Sequence, residues 1–379
     1  MTRHLKRQLI SLLAVLALLA VACGGDTAVT TVAPVTTGAG GEMQGLIDAA
    51  KAEGTLSTIA LPHDWCGYGA VIEGFKAKYG LAVNELNPDA GSGDELEAIR
   101  ANKGNPGPQA PDVIDVGVAF GPTAQEEGLI QAYKVATWDE IPDDAKEATG
   151  YWYGDYYGVL ALEVNKAEMA NTPQEYADLL KPEYKGQVAL SGDPLASNAA
   201  ILTVWAAGLA TGATGEAAAQ AGLEFFKQLN DAGNFVPIDG NSASVGKGET
   251  PVMIDWTYNA IANDVNLAGN PDIEFAVPEA GKMAGLYVQA ISAYAPHPNA
   301  AKLWMEYLYS DEGQLLWAGK GFCHPIRFEA MVAAGTMPAD ILAQLPSSEG
   351  AFFPTVDEIN AAKKVVTEGW PTVVGVPVE

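Results

Sequence analysis

Val252-Met-Ile-Asp-Trp-Thr-Tyr-Asn-Ala-Ile-Ala-Asn-Asp-Val-Asn-Leu-Ala268 contains the unit that decides the fold. Val252–Ile254 is a short β-branched and apolar run suited to a buried strand, and Asn259–Ala268 has a helical pattern. Between them stand Asp255, Trp256 and Tyr258. The same order recurs outward along the chain. Further strands are expected at Leu56–Leu61, Leu81–Leu86, Val113–Val116, Gln187–Leu190 and Ile273–Val277. Helices are expected at Ala70–Tyr79, Asp94–Lys103, Ala199–Leu209 and Ala217–Ala232. Strands alternating with helices of this length imply an α/β protein with mostly parallel sheets and helices on both faces.

Ligands of parallel sheets bind beyond the carboxyl ends of the strands. Polar and aromatic residues gather there. His63, Asp64, Trp65 and Tyr68 follow the first strand; Asn87, Asp89 and Gly91-Ser92-Gly93 follow the second. Asp115 ends the third, and Ser191 and Asp193 follow Gln187–Leu190. Five such segments, several pairing a carboxylate with an aromatic ring, predict a lined cleft. Gly91-Ser92-Gly93 at a helix start suits either an anion or a plain turn with a serine cap. Trp152, Tyr153, Asp155, Tyr156 and Tyr157 read as a hairpin or as a ribbon covering a sheet edge. The helix Ala300–Tyr309 has Asn299 placed to cap it and an apolar stripe at helical spacing, which puts Trp304 in the core with Trp317.

The 379 residues are 48% hydrophobic and 18% charged, enough apolar content for two compact domains. Lys and Arg number 21 against 47 Asp and Glu, a formal charge of −26. Such a surface argues against nucleic acid and anionic lipid headgroups, which need basic residues, and favours cationic ligands. Arg3, Lys6 and Arg7 precede an apolar run, Leu9–Ala22, shorter than the roughly 20 residues of a membrane span. Basic flank, apolar run and the small residues before Cys23 read as a lipoprotein export signal over 1–22, with Cys23 receiving the lipid. Residues 23–42, rich in Thr, Gly and Ala, read as a flexible tether with a reach of roughly 25 Å.

Cys66 and Cys323 are the remaining cysteines. In an oxidising compartment such a pair invites a disulfide. His63 and His324 lie near them without the spacing of a zinc site, so no metal or cofactor is expected. There is no H-E-x-x-H or G-x-S-x-G, and Gly246-Lys247-Gly248 lacks the arrangement of a phosphate loop. Paired carboxylates in a cleft leave an exported glycoside hydrolase as the alternative of a different class.

Tyr176-Ala-Asp-Leu-Leu-Lys-Pro-Glu-Tyr-Lys-Gly186, Ser191-Gly-Asp-Pro194, Ala295-Pro-His-Pro-Asn-Ala-Ala-Lys-Leu-Trp304 and Tyr309-Ser-Asp-Glu-Gly-Gln314 resemble extracellular solute-binding proteins of bacterial ABC importers. The similarity runs from about Gln44 to Trp370. It is to a branch with spermidine/putrescine binders, beside relatives for ferric iron, thiamine and 2-aminoethylphosphonate. The resemblance implies a type II periplasmic-binding fold, two α/β lobes joined by two crossing strands, with no catalysis. It implies a monomer outside the cytoplasmic membrane, delivering a solute to a permease that a separate ATPase drives. Placed on this chain, the crossings fall at Gly158–Val164 and Tyr287–Ala293, the first lobe at 43–160 and 292–379, the second at 161–291. Polyamine binders of this fold surround ammonium groups with aromatic walls and carboxylates. Asp64-Trp65, Asp255-Trp256 and Glu163 match that chemistry. Tyr68, Ser92, Asp115, Asp193, Tyr258 and Tyr287 complete the expected ligand set. Tyr156-Tyr157 resembles an iron binder's tyrosine pair but lies before the first crossing; a phosphonate would find only Lys166, Lys247 and Arg327; sugars also suit aromatics and carboxylates.

Overall fold

Tyr153–Asn165 is one continuous strand that serves two halves of the molecule. The computed structural model describes residues 39–379. The export signal at 1–22, the lipidation site Cys23 and the tether as far as residue 38 lie outside the described residues. The strands are β1 (Thr55–Ile59), β2 (Ala82–Leu86), β3 (Val113–Gly117), β4 (Ile130–Gln131), β5 (Tyr153–Asn165), β6 (Val188–Leu190), β7 (Phe235–Asp239), β8 (Val252–Trp256), β9 (Ile273–Ala276), β10 (Ala284–Ser292) and β11 (His324–Pro325). The helices are α1 (Ala39–Glu53), α2 (Tyr68–Tyr79), α3 (Ser92–Ala101), α4 (Gly121–Glu126), α5 (Asn198–Leu209), α6 (Gly215–Asp231), α7 (Ser242–Lys247), α8 (Thr257–Leu267), α9 (Pro298–Leu308), α10 (Asp311–Lys320), α11 (Phe328–Ala334), α12 (Ala339–Leu342) and α13 (Val356–Val373).

The two-lobe α/β architecture is present, with a mixed sheet. A nine-stranded path runs β3-β10-β5-β8-β6-β7, with β4 on β10 and both β9 and β11 on β5. Tyr153–Val159 of β5 pairs with β10, and Leu160–Val164 pairs with β8. Among the named strands of the described residues, parallel pairing joins β1 with β2 and β6 with β7 and β8; the crossing strands bring the antiparallel pairs. Both faces of β5 are covered, and only Tyr157 escapes full burial. That corrects the hairpin or edge-ribbon reading of Trp152–Tyr157: the stretch leads into the central crossing strand. Its aromatic residues are needed to fill both faces, which hides the alternation expected of a half-exposed strand.

Helix positions follow the apolar pattern, with ends displaced by a few residues. α1 begins at Ala39, inside the stretch read as tether. Asn299 does not cap α9; Pro298 opens that helix. Instead the Glu53 carboxylate accepts the N–H groups of Asn299 and Ala300, at 3.0 and 2.8 Å, favouring the positive end of α9 from a neighbouring helix. α13 packs along α6 and α5, so the chain's last helix lies on the second lobe and departs from the expected grouping of 292–379 with the first. Gly285 has no substitute in β10, because a Cβ there would lie 2.1 Å from the Trp256 ring.

The Cα atoms of Cys66 and Cys323 are 5.7 Å apart and their sulfurs are joined, closing a loop with a sequence separation of 257 residues. Both residues are buried, just behind the loop that holds Trp65. We predict no titratable thiol from Cys66 or Cys323 in the denatured, unreduced protein. The double variant Cys66→Ser/Cys323→Ser should lose stability, by up to about 5 kcal/mol in the chain-entropy view. Two reactive thiols from this pair would refute the expectation.

Candidate functional site

Five loops beyond strand ends, with Tyr287 of β10 at their back, enclose a cleft of about 300 Å³ between the lobes. From the first lobe come Asp64 and Trp65 after β1, Asp89 after β2, Ser92, Asp94 and Glu95 on the first turn of α3, and Asp115 in β3. The second lobe supplies Ser191, Asp193 and Asn198 between β6 and the start of α5, then Asp239 at the end of β7. Asp255 of β8 and Asn259 of α8 complete that wall. Eight of the lining side chains are carboxylic acids, and no Lys, Arg or His lies among the lining residues. The lobes meet where the Gly93 N–H donates to the Ala196 carbonyl at 3.1 Å. They also meet at Gly117, where a Cβ would fall 2.0 Å from Asn198 Cγ.

The floor is built from groups held on one side only. Asp115 Oδ2 accepts from Tyr68 Oη and from Tyr156 Oη, both at 2.8 Å, while Asp115 Oδ1 has no partner in the protein. Across the cleft, Asp255 Oδ2 accepts from Asn259 Nδ2 at 2.9 Å, and its Oδ1 is likewise unpartnered. Both amide atoms of Asn198 and Oδ1 of Asn259 are also free. All four residues are buried. Buried polar atoms left unpaired are costly, and here they border the cleft. Burial pushes the Asp115 carboxyl up, against the pull of the Tyr156 and Tyr68 hydroxyls. It pushes Asp255 up to about 7 and Asp239 up to about 6. Glu95, whose Oε2 accepts the Asp115 N–H at 2.9 Å, is raised well above the usual range by burial and then by Asp115.

Of the residues expected to meet ligand, the cleft collects Asp64, Trp65, Ser92, Asp115, Asp193, Asp255 and Tyr287. Four stand elsewhere. Tyr68 is one layer behind, holding Asp115. Glu163 is buried inside the second lobe, where its Oε1 accepts from Asn263 Nδ2 at 2.7 Å. Trp256 is fully buried under Gly285, stacked on Tyr258 with ring centroids 6.2 Å apart. Tyr258 is equally buried and meets the edge of Trp65 at 5.8 Å. Consecutive residues of a strand point to opposite faces, so Asp255 and Trp256 cannot both face the cleft. Asp64 and Trp65 lie in a turn and escape that rule. Ser92 also has a structural task, its Oγ accepting the Gly117 N–H at 3.0 Å. Sequence reasoning overlooked Asp94, Glu95, Asn198, Asp239 and Asn259 as lining residues. Asp239 was within reach: Phe235-Val-Pro-Ile-Asp239 is another apolar run ending in a carboxylate, disguised by Pro237.

Trp65 joins the two walls. Its Nε1 donates to Tyr156 Oη at 2.9 Å, and its ring meets Tyr287 edge-on at 5.7 Å. The two tryptophans should therefore respond differently to truncation. Trp256→Ala should cost about 3–5 kcal/mol of folding stability, the usual loss for a buried aromatic, and leave the affinity of the folded fraction unchanged. Trp65→Ala should weaken ligand binding with a smaller fall in melting temperature. Melting curves beside calorimetric titrations check both; an unchanged melting temperature for Trp256→Ala would contradict this placement.

Residues 109–361 match the family model described as bacterial extracellular solute-binding protein. Among solved structures, the chain is similar to the periplasmic binding protein AfuA from Actinobacillus pleuropneumoniae with fructose-6-phosphate bound. That match has 21% identity, 85% of this chain and 98% of that one covered, and a TM-score of 0.63. AgtB from A. tumefaciens R10, in complex with agropinic acid, matches at 17% identity, 84% and 98% coverage, and a TM-score of 0.65. Iron-bound HitA from Pseudomonas aeruginosa matches at 17% identity, 82% and 97% coverage, and a TM-score of 0.61. These solved structures share the two-lobe fold over different ligands, and the family match, over more than half of the chain, shows that it belongs to the bacterial extracellular solute-binding proteins, the binding components of ABC importers.

Proposed function

We propose that this protein captures a small organic cation, polyamine-like in character, between its lobes and delivers it to an ABC permease and its ATPase. In this reading it is a monomer, held at the outer side of the cytoplasmic membrane by lipid on Cys23, and it performs no catalysis. The observation that carries the choice of ligand is the lining itself: eight carboxylic acids without a lining base. An ammonium can donate charged hydrogen bonds to the free oxygens of Asp115 and Asp255, with the Trp65 and Tyr287 rings beside them. A phosphonate would enter a field of its own sign. The tyrosine pair expected of an iron site is divided: Tyr156 holds Asp115 behind the cleft, whereas Tyr157 stacks on His324 at 4.8 Å on the other face of β5. That division favours an organic cation over ferric ion.

A thermal-shift panel of putrescine, spermidine, thiamine, 2-aminoethylphosphonate, sugars and Fe³⁺ tests the reading. Ligand at a hundred times its Kd adds about 2.7 kcal/mol to the native state, so the organic cations should raise the melting temperature, and the phosphonate and Fe³⁺ should not. Asp255→Asn should weaken the cation that binds by at least tenfold, about 1.4 kcal/mol. A shift confined to phosphonate or sugar would overturn the proposal, and turnover of a chromogenic glycoside would favour the hydrolase alternative.

A further inference from the structure

We infer that the ligand-free cleft keeps one proton shared between Asp115 and Asp155, and that the ammonium of an incoming organic cation replaces it against Asp115, releasing the proton to water. The inference rests on the cation reading above and extends it to a residue outside the cleft lining. Asp155, on β5, is fully buried and lies outside the cleft lining. Its Oδ1 accepts the Tyr156 N–H at 2.8 Å and its Oδ2 accepts from Gln289 Nε2 at 3.0 Å. The Tyr68 hydroxyl stands between the two acids, 2.8 Å from Asp115 Oδ2 and 3.4 Å from Asp155 Oδ2. Gln289 Nε2 also donates to that hydroxyl, at 2.8 Å.

Among the described residues no cation is hydrogen-bonded to either acid. β11, paired with β5, brings His324, whose burial favours the neutral imidazole, and Arg327 beyond it is held by Glu140 and Asp311. α2 presents Tyr68, and α3 presents Glu95 with Asp94 beyond it. β5 adds Tyr156, β10 adds Tyr287, and Tyr309 follows α9. From the second lobe come Asp255 at the end of β8 and Tyr258 on α8. Apart from the neutral His324 and the ion-paired Arg327, all of these are acids or phenols. Two neighbouring carboxylates in a dehydrated site cannot both stay ionised without a counter-charge, so the pair retains a proton. Burial raises both acids, and the charge of Asp115 adds to the rise at Asp155. Asp115 Oδ1 is the atom of this pair left unpartnered in a residue that lines the cleft. A cation placed there supplies the missing charge and lowers the proton affinity of the pair. Asp155 thus acts as a positioning residue: it holds a proton when the site is empty and lets it go when the site is filled.

The sign of the pH effect follows. In the empty site the pair binds its proton more tightly than in the filled one. Affinity therefore rises with pH between the two values, by up to about tenfold per unit for one proton exchanged. Outside that window the effect disappears.

The test is calorimetric titration of the full chain, purified in detergent, with putrescine, whose two ammonium groups remain protonated, at pH 6.5 in buffers of different ionisation enthalpy. Asp255 can contribute its own proton, so the decisive quantity is the difference between wild type and Asp155→Asn. Wild type should release up to about one proton more per ligand bound, while the variant still binds putrescine. Equal release by both would overturn the inference and leave the cation reading intact. Should Asp155→Asn fail to fold, Tyr68→Phe serves. Loss of its hydroxyl leaves Asp115 easier to protonate, so the midpoint of the affinity–pH curve should move upward. A merely structural role would change affinity at every pH without moving that midpoint, and that result would also overturn the inference. Failure of putrescine, spermidine and thiamine to bind at any pH would remove both readings together.

Discussion

A strand hydrogen-bonded along most of its length resists bending, because each ladder bond broken in a dry interior leaves two polar groups unpaired. β5 is under that constraint from Tyr153 to Asn165, with β10 and β11 beside its first half and β8 and β9 beside its second. The placement of the site follows from this. The first half of β5 carries Asp155 and Tyr156 beneath the first lobe's floor. The second half registers Leu160 opposite Trp256 and Ala161 opposite Asp255. One backbone thereby carries or registers with the acids of both lobes. β10 repeats the arrangement, with Gln289 opposite Asp115 on one side and Tyr153 on the other.

What was legible in the sequence followed from this plan, and so did what was not. Strand ends were readable because Val- and Ile-rich runs stop at carboxylates, and those carboxylates do line the cleft at Asp64, Asp115, Asp193 and Asp255. The crossing strand was harder to read. Its aromatic residues and Gly154 resemble a turn-rich hairpin, and only tertiary burial on both faces makes them a strand. The repeated Asp-Trp dipeptide misled for a simpler reason. The same two letters point the same way in a turn and opposite ways in a strand, so Trp65 reaches the cleft and Trp256 enters the core. Asn198 and Asn259 gave no advance signal, since an amide at a helix start is an ordinary cap and only the unpartnered atoms distinguish these two.

The charge distribution also bears on closure. Asp64, Asp89, Asp94 and Asp115 belong to one lobe; Asp193, Asp239 and Asp255 belong to the other. Bringing the lobes together strips water from both sets and sets like charges facing, which makes empty closure expensive. A solute stabilises closure only by binding the closed form better than the open one. On the proposed reading, a cation meets that condition through the same carboxylates that oppose closure without it: its charge turns their mutual repulsion into attraction toward a shared centre. A neutral solute of equal size would have to leave the repulsion in place or bring protons with it. On that reading the acids select charge at the step of closing as well as at first contact, and the burial of Asp115 and Asp255 is what ties their charge to closure.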